Sequence, residues 1–279
     1  MTRPQAPQIP IQRWTDGAWI EADDTVAAEE PLQLSLDGTP LSIVMRTPGS
    51  DVELALGLLR AEKVIESLAD VAFIRVSAEA PTVEERVLIE PDLIESNQVD
   101  VHLGRAAGRR PERSFLSSSA CGVCGATTVE SLSLDFPTLE TGPVIAASLL
   151  PRLAPRLREG QSVFDATGGL HAAGLFSPEG DLLAVREDIG RHNAVDKVVG
   201  RHLLDGNLPA SNRILAVSGR AGYEVVQKAI AAGIPILVAV GAPSSLAVQT
   251  ARAFGLTLVG FLKHDRFNVY SGVERLSSD

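Results

Sequence analysis

The chain's two cysteines, Cys121 and Cys124, stand three residues apart in the stretch SSSACGVCG, residues 117–125. A C-x-x-C pair can share a metal, cycle between dithiol and disulfide, or present one nucleophilic sulfur beside a helper. The surrounding serines, alanine and glycines, followed by TTVESLSL, predict a small-residue loop running into a helix, with the thiols on the loop or the first turn. Free backbone N–H groups and the positive end of a helix dipole favour a thiolate there. A thiol with a pKa of about 8.5 is less than about a tenth ionised near neutrality, and lowering it by about two units makes the thiolate the majority form. Immediately upstream, Arg105, Arg109, Arg110 and Arg113 cluster in HLGRAAGRRPERS. That segment fits a solvated basic loop, and equally a set of guanidiniums that stabilise a sulfur anion or receive an anionic partner.

Several chemistries compete for this motif. Structural zinc needs four ligands, and two cysteines with five scattered histidines do not supply a second ligand pair, so no metal site is expected within one chain. A zinc deaminase needs H-x-E and P-C-x-x-C; no histidine here has glutamate two places later, and Ala120 replaces the proline. A dithiol oxidoreductase stays open, although the pair sits mid-chain and not after a first strand. A Cys-His hydrolase would need a histidine that spacing does not identify. The remaining chemistry is sulfur or acyl carriage on one cysteine, in which a thiolate takes the terminal sulfur of a donor, holds it as a persulfide and passes it on.

The elements that must position such a loop fall into two groups. Residues 1–10, with three prolines, predict a loose leader. Residues 11–115 predict a small β-rich α+β domain: a hairpin around Asp16-Gly17, a second around Asp37-Gly38, further strands at VAFIRVS, ERVLIE and VDVHL, and one helix from Ser50 with a capping box to Glu53. Residues 116–279 predict an α/β domain carrying the C-x-x-C loop. There a helix broken near Pro151 or Pro155 precedes a hairpin turning at Pro178–Asp181. Helices and apolar strands such as ILAVS and PILVAV then alternate, the pattern of a sheet covered on both faces.

Ligands of open α/β sheets sit beyond the carboxyl ends of strands. Four segments are expected there: 164–171, 186–193, 218–224 and 261–268. They bring glycines together with Arg191, His192, Arg220, Lys263, His264 and Arg266, a set suited to a phosphorylated ligand if it does not merely cap and pair locally. The formal charge of −10 in 279 residues excludes a general nucleic-acid binder, so any anion must be held locally. No apolar run reaches membrane-spanning length and no basic start precedes an apolar core, so a cytoplasmic protein without membrane attachment is expected.

SSSACGVCG, FDATGGLHAAGLF, REDIGRHNAVDKVVG, SGRAGYEVVQKA, GIPILVAVGAPSSLAVQTA and GLTLVGF with RFNVYSG, in that order, closely resemble the FdhD family of formate dehydrogenase accessory sulfurtransferases, over about residues 30 to 275. The resemblance implies a sulfur carrier that takes sulfur from a cysteine desulfurase. It would deliver that sulfur to the molybdenum bis(molybdopterin guanine dinucleotide) cofactor before insertion into formate dehydrogenase, with a guanine nucleotide such as GDP as a mimic. By position, Cys121 matches the persulfide-bearing cysteine and Cys124 the second loop cysteine. Phe261, Leu262, Lys263, His264, Asp265 and Arg266 match the segment that contacts the cofactor, with Asp265 a departure from a more basic or glycine-rich run. The family also implies a zinc-free core similar to cytidine deaminase, and a homodimer. Two other classes remain open: a chaperone for cofactor or apoenzyme that does no sulfur chemistry, and the dithiol oxidoreductase.

Overall fold

Asp16 and Gly17 hold left-handed φ values of 51° and 81°, the backbone of a tight hairpin turn, and so fold strand β1 (Gln8–Thr15) onto β2 (Ala18–Thr25). The computed structural model describes residues 4–77, 86–87, 97–104, 136–139 and 142–278. The predicted leader is shorter than expected: Gln8, Ile9 and Pro10 pair with Thr25, Asp24 and Asp23, because a two-stranded ribbon has only edges, where proline is tolerated. On this ribbon Trp14 meets Trp19 at a ring-centroid distance of 5.3 Å, and the two side chains are 58% and 67% exposed.

A second Asp-Gly turn, Asp37 and Gly38 at φ 50° and 76°, joins β3 (Glu30–Leu36) to β4 (Thr39–Arg46). Helix α1 (Asp51–Ala61) follows, then β5 (Val71–Ser77), β6 (Arg86–Val87) and β7 (Gln98–Leu103). The sheet order is β4-β3-β7-β5-β6. Its alternating inward residues, Leu32, Leu34, Val99 and Val101, bury against Leu56 and Leu59 of α1. The expected capping box at Ser50 does not form. Ser50 is left-handed at φ 56° with no side-chain cap, and the Glu53 carboxylate is drawn instead to Arg186, with 2.6 Å contacts to Nε and Nη2.

The larger unit starts with β8 (Ile145–Ala146) and a 3₁₀ segment (Ala147–Arg152) containing Pro151. The chain then re-forms as α2 (Leu153–Glu159), so of the two candidate prolines the break falls by Pro151, and Pro155 lies in the first turn of α2. After α3 (Ser162–Thr167) come β9 (His171–Phe176), β10 (Leu182–Asp188), α4 (Arg191–Leu204), β11 (Ile214–Val217), α5 (Tyr223–Ala231), β12 (Ile236–Ala239), α6 (Ser245–Ala253), β13 (Thr257–Gly260), β14 (Asn268–Ser271) and β15 (Leu276–Ser277). The sheet order is β10-β9-β11-β12-β13-β14, with β11, β12 and β13 parallel, and β15 pairs separately with β8. Alternation along the strands splits the core as predicted. Leu215, Val217, Leu237 and Leu258 pack with residues of α4, α5 and α6, whereas Ile214, Ala216, Ile236 and Val238 pack with Leu150, Leu153 and Leu157. Among the described residues no helix is long and apolar enough to cross a membrane.

The two units meet where α1 crosses α4. A Cβ built on Gly57 would stand 1.9 Å from the Asp196 carbonyl oxygen, and one on Gly200 would stand 1.8 Å from that of Glu53. Each helix therefore lays its backbone on the other through a bare glycine. Leu203 of α4 belongs to the N-terminal core, so α4 serves both units. The predicted boundary at 115/116 lies outside the described residues. Alanine at Gly57 or Gly200 is expected to force the helices apart and cost about 3 kcal/mol, read as a lowered denaturant midpoint. Wild-type stability in both variants would mean that the crossing is not tight.

Candidate functional site

Strand direction brings the four expected segments to one edge of the six-stranded sheet. Because β9 is antiparallel to β10 and β11, its first residue, His171, lies beside the carboxyl ends of both, and His171 pairs with Asp188. Neighbouring loops are then stitched together by backbone bonds. Ser218 N–H donates to the Ala172 carbonyl, Gly241 N–H to Gly219 (2.9 Å), and Phe261 N–H to Gly241 (3.1 Å). Close approach dictates the glycine at 241, since a Cβ there would lie 3.0 Å from the Arg220 backbone.

Within residues 186–193 most side chains turn out to build the protein. Arg186 clamps Glu53. The Glu187 carboxylate accepts from Val163 N–H (2.9 Å) and Phe164 N–H (2.7 Å), capping α3. Asp188, fully buried, accepts from Thr47 N–H, Gly190 N–H and Asn193 Nδ2, and pairs with Lys197 Nζ at 2.8 Å. Lys197 Nζ also donates to the Thr47 carbonyl. Charges this deeply buried persist only because each is matched. Arg191 and His192, at the first turn of α4, are left to face the edge.

The electrostatics of that edge are uneven. Most basic side chains elsewhere have acidic partners: Arg46 with Asp51, Arg201 with Asp205, Lys228 with Asp196. Arg191, Arg220, Lys263 and Arg266 make no side-chain hydrogen bond or ion pair among the described residues, and Arg191 Nε is buried without a partner. In a chain of charge −10 these unmatched cations leave the edge locally positive. His192 Nδ1 lies 3.0 Å from Glu224 Oε2. Burial, then Lys228, Arg191 and His171, pull the His192 pKa down to about 3, so the ring is neutral and Nδ1–H is the donor. Burial also raises Glu224, whose Oε1 has no partner.

The segment 261–266 forms the adjoining rim. Phe261 is 44% exposed and held at φ 53°, a left-handed value unusual for an aromatic residue. Leu262, expected among the contact residues, packs into the core with Val238 and Val259 at 3% exposure, which leaves only its backbone for a ligand. Lys263 N–H donates to the Arg266 carbonyl in an exposed turn, and the exposed His264 Nδ1 lies 3.7 Å from Asp265, beyond hydrogen-bond distance. Cys121, Cys124 and Arg105, Arg109, Arg110 and Arg113 lie outside the described residues. Sequence reasoning did not single out His171, Glu224 or Gly219. His171 opens a strand two residues after Gly169, but its approach to Arg191 depends on pairing between distant strands.

The profile of the FdhD/NarQ family matches residues 27–277. A sulfur carrier protein FdhD of Nocardia farcinica is 49% identical over 270 residues, covering 96% of this chain and 94% of that one. One of Streptomyces coelicolor is 46% identical over 273 residues, with the same coverage. The crystal structure of a formate dehydrogenase accessory protein from Desulfotalea psychrophila superposes with a TM-score of 0.72 at 23% identity, covering 98% of this chain and 100% of that one, and establishes the likeness of fold.

A neutral buried His192 has a signature in stability. Unfolded, it binds a proton near pH 6.5, but folded only near 3, so its contribution is present above about 6.5 and is lost as pH falls toward 3. Asp196, pushed up to about 6 mainly by burial, acts in the opposite sense between about 4 and 6. The difference between wild type and His192→Gln therefore cancels Asp196 and reports the His192–Glu224 pair. Denaturation from pH 7.5 to 4 is expected to show a shallower acid loss in the variant, by up to about 1.4 kcal/mol per pH unit. Parallel curves would mean that the folded ring titrates normally.

Proposed function

Because the chain belongs to the FdhD/NarQ family, we propose that it is a sulfur carrier that takes persulfide sulfur from a cysteine desulfurase and hands it to molybdenum bis(molybdopterin guanine dinucleotide), the cofactor required by formate dehydrogenase. The cofactor is here the substrate. The observation that carries this reading is the set of unmatched cations, Arg191, Arg220, Lys263 and Arg266, beside exposed Phe261 on the carboxyl edge of a parallel sheet. Such an edge suits the phosphates of a dinucleotide, with an aromatic face available to a base. In the sulfur step the Cys121 thiolate attacks the terminal sulfur of the donor persulfide. A new S–S bond forms as the old one breaks, and the donor cysteine leaves as its thiolate. Cys124 is read as the second cysteine of the loop. The larger unit is read as cytidine-deaminase-like, supported by its alternation of helices and parallel strands, and the working protein as a cytoplasmic homodimer.

Incubation with a cysteine desulfurase and cysteine is expected to add one sulfur to Cys121, seen by peptide mass spectrometry. Cys121→Ala is expected to leave formate dehydrogenase inactive. Full activity with that variant would replace the carrier by a chaperone without sulfur chemistry. Loss of turnover in Cys124→Ala with a cycling internal disulfide would point to an oxidoreductase. GDP is expected to bind, and Lys263→Ala or Arg266→Ala to weaken it by about tenfold each, measured by calorimetry.

A further inference from the structure

Gly219 lies beside two basic side chains and is followed in the chain by a third. A Cβ built on it would stand 3.3 Å from His171 Nδ1 and 3.7 Å from Arg191 Cδ, and the next residue in the chain is exposed Arg220. The imidazole and the Arg191 side chain thus both pack close to the bare Cα, which keeps the two side chains near one another. The Gly219 carbonyl is taken up by the sheet edge, where it accepts from Gly241 N–H. Arg191 belongs to the first turn of α4, a helix of 14 residues whose first N–H groups have no partner within the helix. Neither guanidinium is matched by a carboxylate among the described residues, and the buried Arg191 Nε has no acceptor.

We propose that His171, Arg191 and Arg220, gathered beside Gly219, form a binding site for one phosphate-type oxyanion, and that occupation of the site draws a proton onto His171. This rests on the reading that a phosphate-bearing substrate lies along this edge, and adds where one phosphate sits and what its binding does to the protein. The groups facing the ring set the sign. Burial disfavours the imidazolium first, Arg191 from α4 and Arg220 from the loop after β11 disfavour it further, and Asp188 across the β9–β10 pair opposes them. His192, the other imidazole coupled to it, is neutral. The empty site thus holds His171 below its ordinary range and uncharged near neutrality. An arriving dianion cancels the two guanidiniums and becomes a partner for the ring, so protonation turns favourable. Affinity must then rise as the solution becomes more acidic, because the complex binds one more proton than its separate parts. Asp188 cannot supply the countercharge itself, since its oxygens are engaged by Thr47, Gly190, Asn193 and Lys197.

The test is calorimetric titration of the full chain with inorganic pyrophosphate and, separately, with GDP, at pH 6, 7 and 8 and in buffers of different ionisation enthalpy. Wild type is expected to take up a fraction of a proton approaching one and to bind several-fold more tightly at pH 6 than at pH 8. His171→Gln should keep measurable binding but lose the excess proton uptake, which separates the imidazole from titration of the ligand's own phosphates. Arg220→Ala, a change at an exposed position, should weaken pyrophosphate about tenfold. Proton uptake identical in wild type and His171→Gln, or unchanged affinity in Arg220→Ala, overturns the oxyanion site. If GDP still binds and depends on Lys263 and Arg266, the nucleotide reading survives that loss. Pyrophosphate binding with His171-linked uptake but no GDP binding would keep the oxyanion site and discard the nucleotide. Binding of neither probe discards both.

Discussion

Everything on the carboxyl edge depends on how closely α1 and α4 can approach. Gly57 and Gly200 let each helix rest on the other's carbonyl backbone, a distance no side chain would permit. At that spacing Glu53 of α1 reaches Arg186, and Lys197 of α4 lies within reach of both Asp188 and the Thr47 carbonyl. Each of these ions would be costly if left alone in the interior, so the pairs lock the register of the two helices as well as their separation. The direction of the α4 axis, and with it the placement of Arg191 and His192, follows from a contact made at the other unit.

This division of labour explains why one short segment has two characters. In REDIGRHN the first three residues and Asn193 are consumed by the scaffold: a clamp on Glu53, a cap for α3 and a buried hub around Asp188. Gly190 contributes its N–H to that hub. His192 is turned to Glu224 of α5, and only Arg191 is left without a partner among the described residues, on a helix whose start is fixed by that hub. A rigid cation without a partner is primed for a ligand, because little ordering remains to be done on binding.

Much of the architecture was legible because it is local. Asp-Gly at 16–17 and 37–38 carries its own turn geometry, the alternation of Leu32, Leu34 and Leu36 assigns a buried face, and Gly233 and Gly255 end helices at the left-handed φ values that glycine accepts. What escaped was non-local. Ser50 and Glu53 have the spacing of a capping box, but an arginine 133 residues away bids more strongly for the carboxylate. Leu262 lies in a polar-looking run, and only the sheet shows that its side chain points inward. The His192–Glu224 pair spans two helices, and the convergence of His171 with Arg191 and Arg220 needs an antiparallel strand inserted beside three parallel ones. The cationic character of the edge was readable residue by residue; the fact that its charges are unmatched while most others are paired was not.

The ribbon at the start of the chain has an optical consequence. Both indoles of the protein, Trp14 and Trp19, reside on it, solvated and 5.3 Å apart, and none lies in either core. Intrinsic emission excited at the red edge of the ultraviolet band is therefore a reporter of this arm alone. Its colour already resembles that of an indole in water before any denaturant is added. The mutual orientation of the rings couples their electronic transitions, so the tryptophan part of the near-ultraviolet dichroism belongs to a hairpin of eighteen residues and follows its fraying, while the interior contributes only through its tyrosines and phenylalanines.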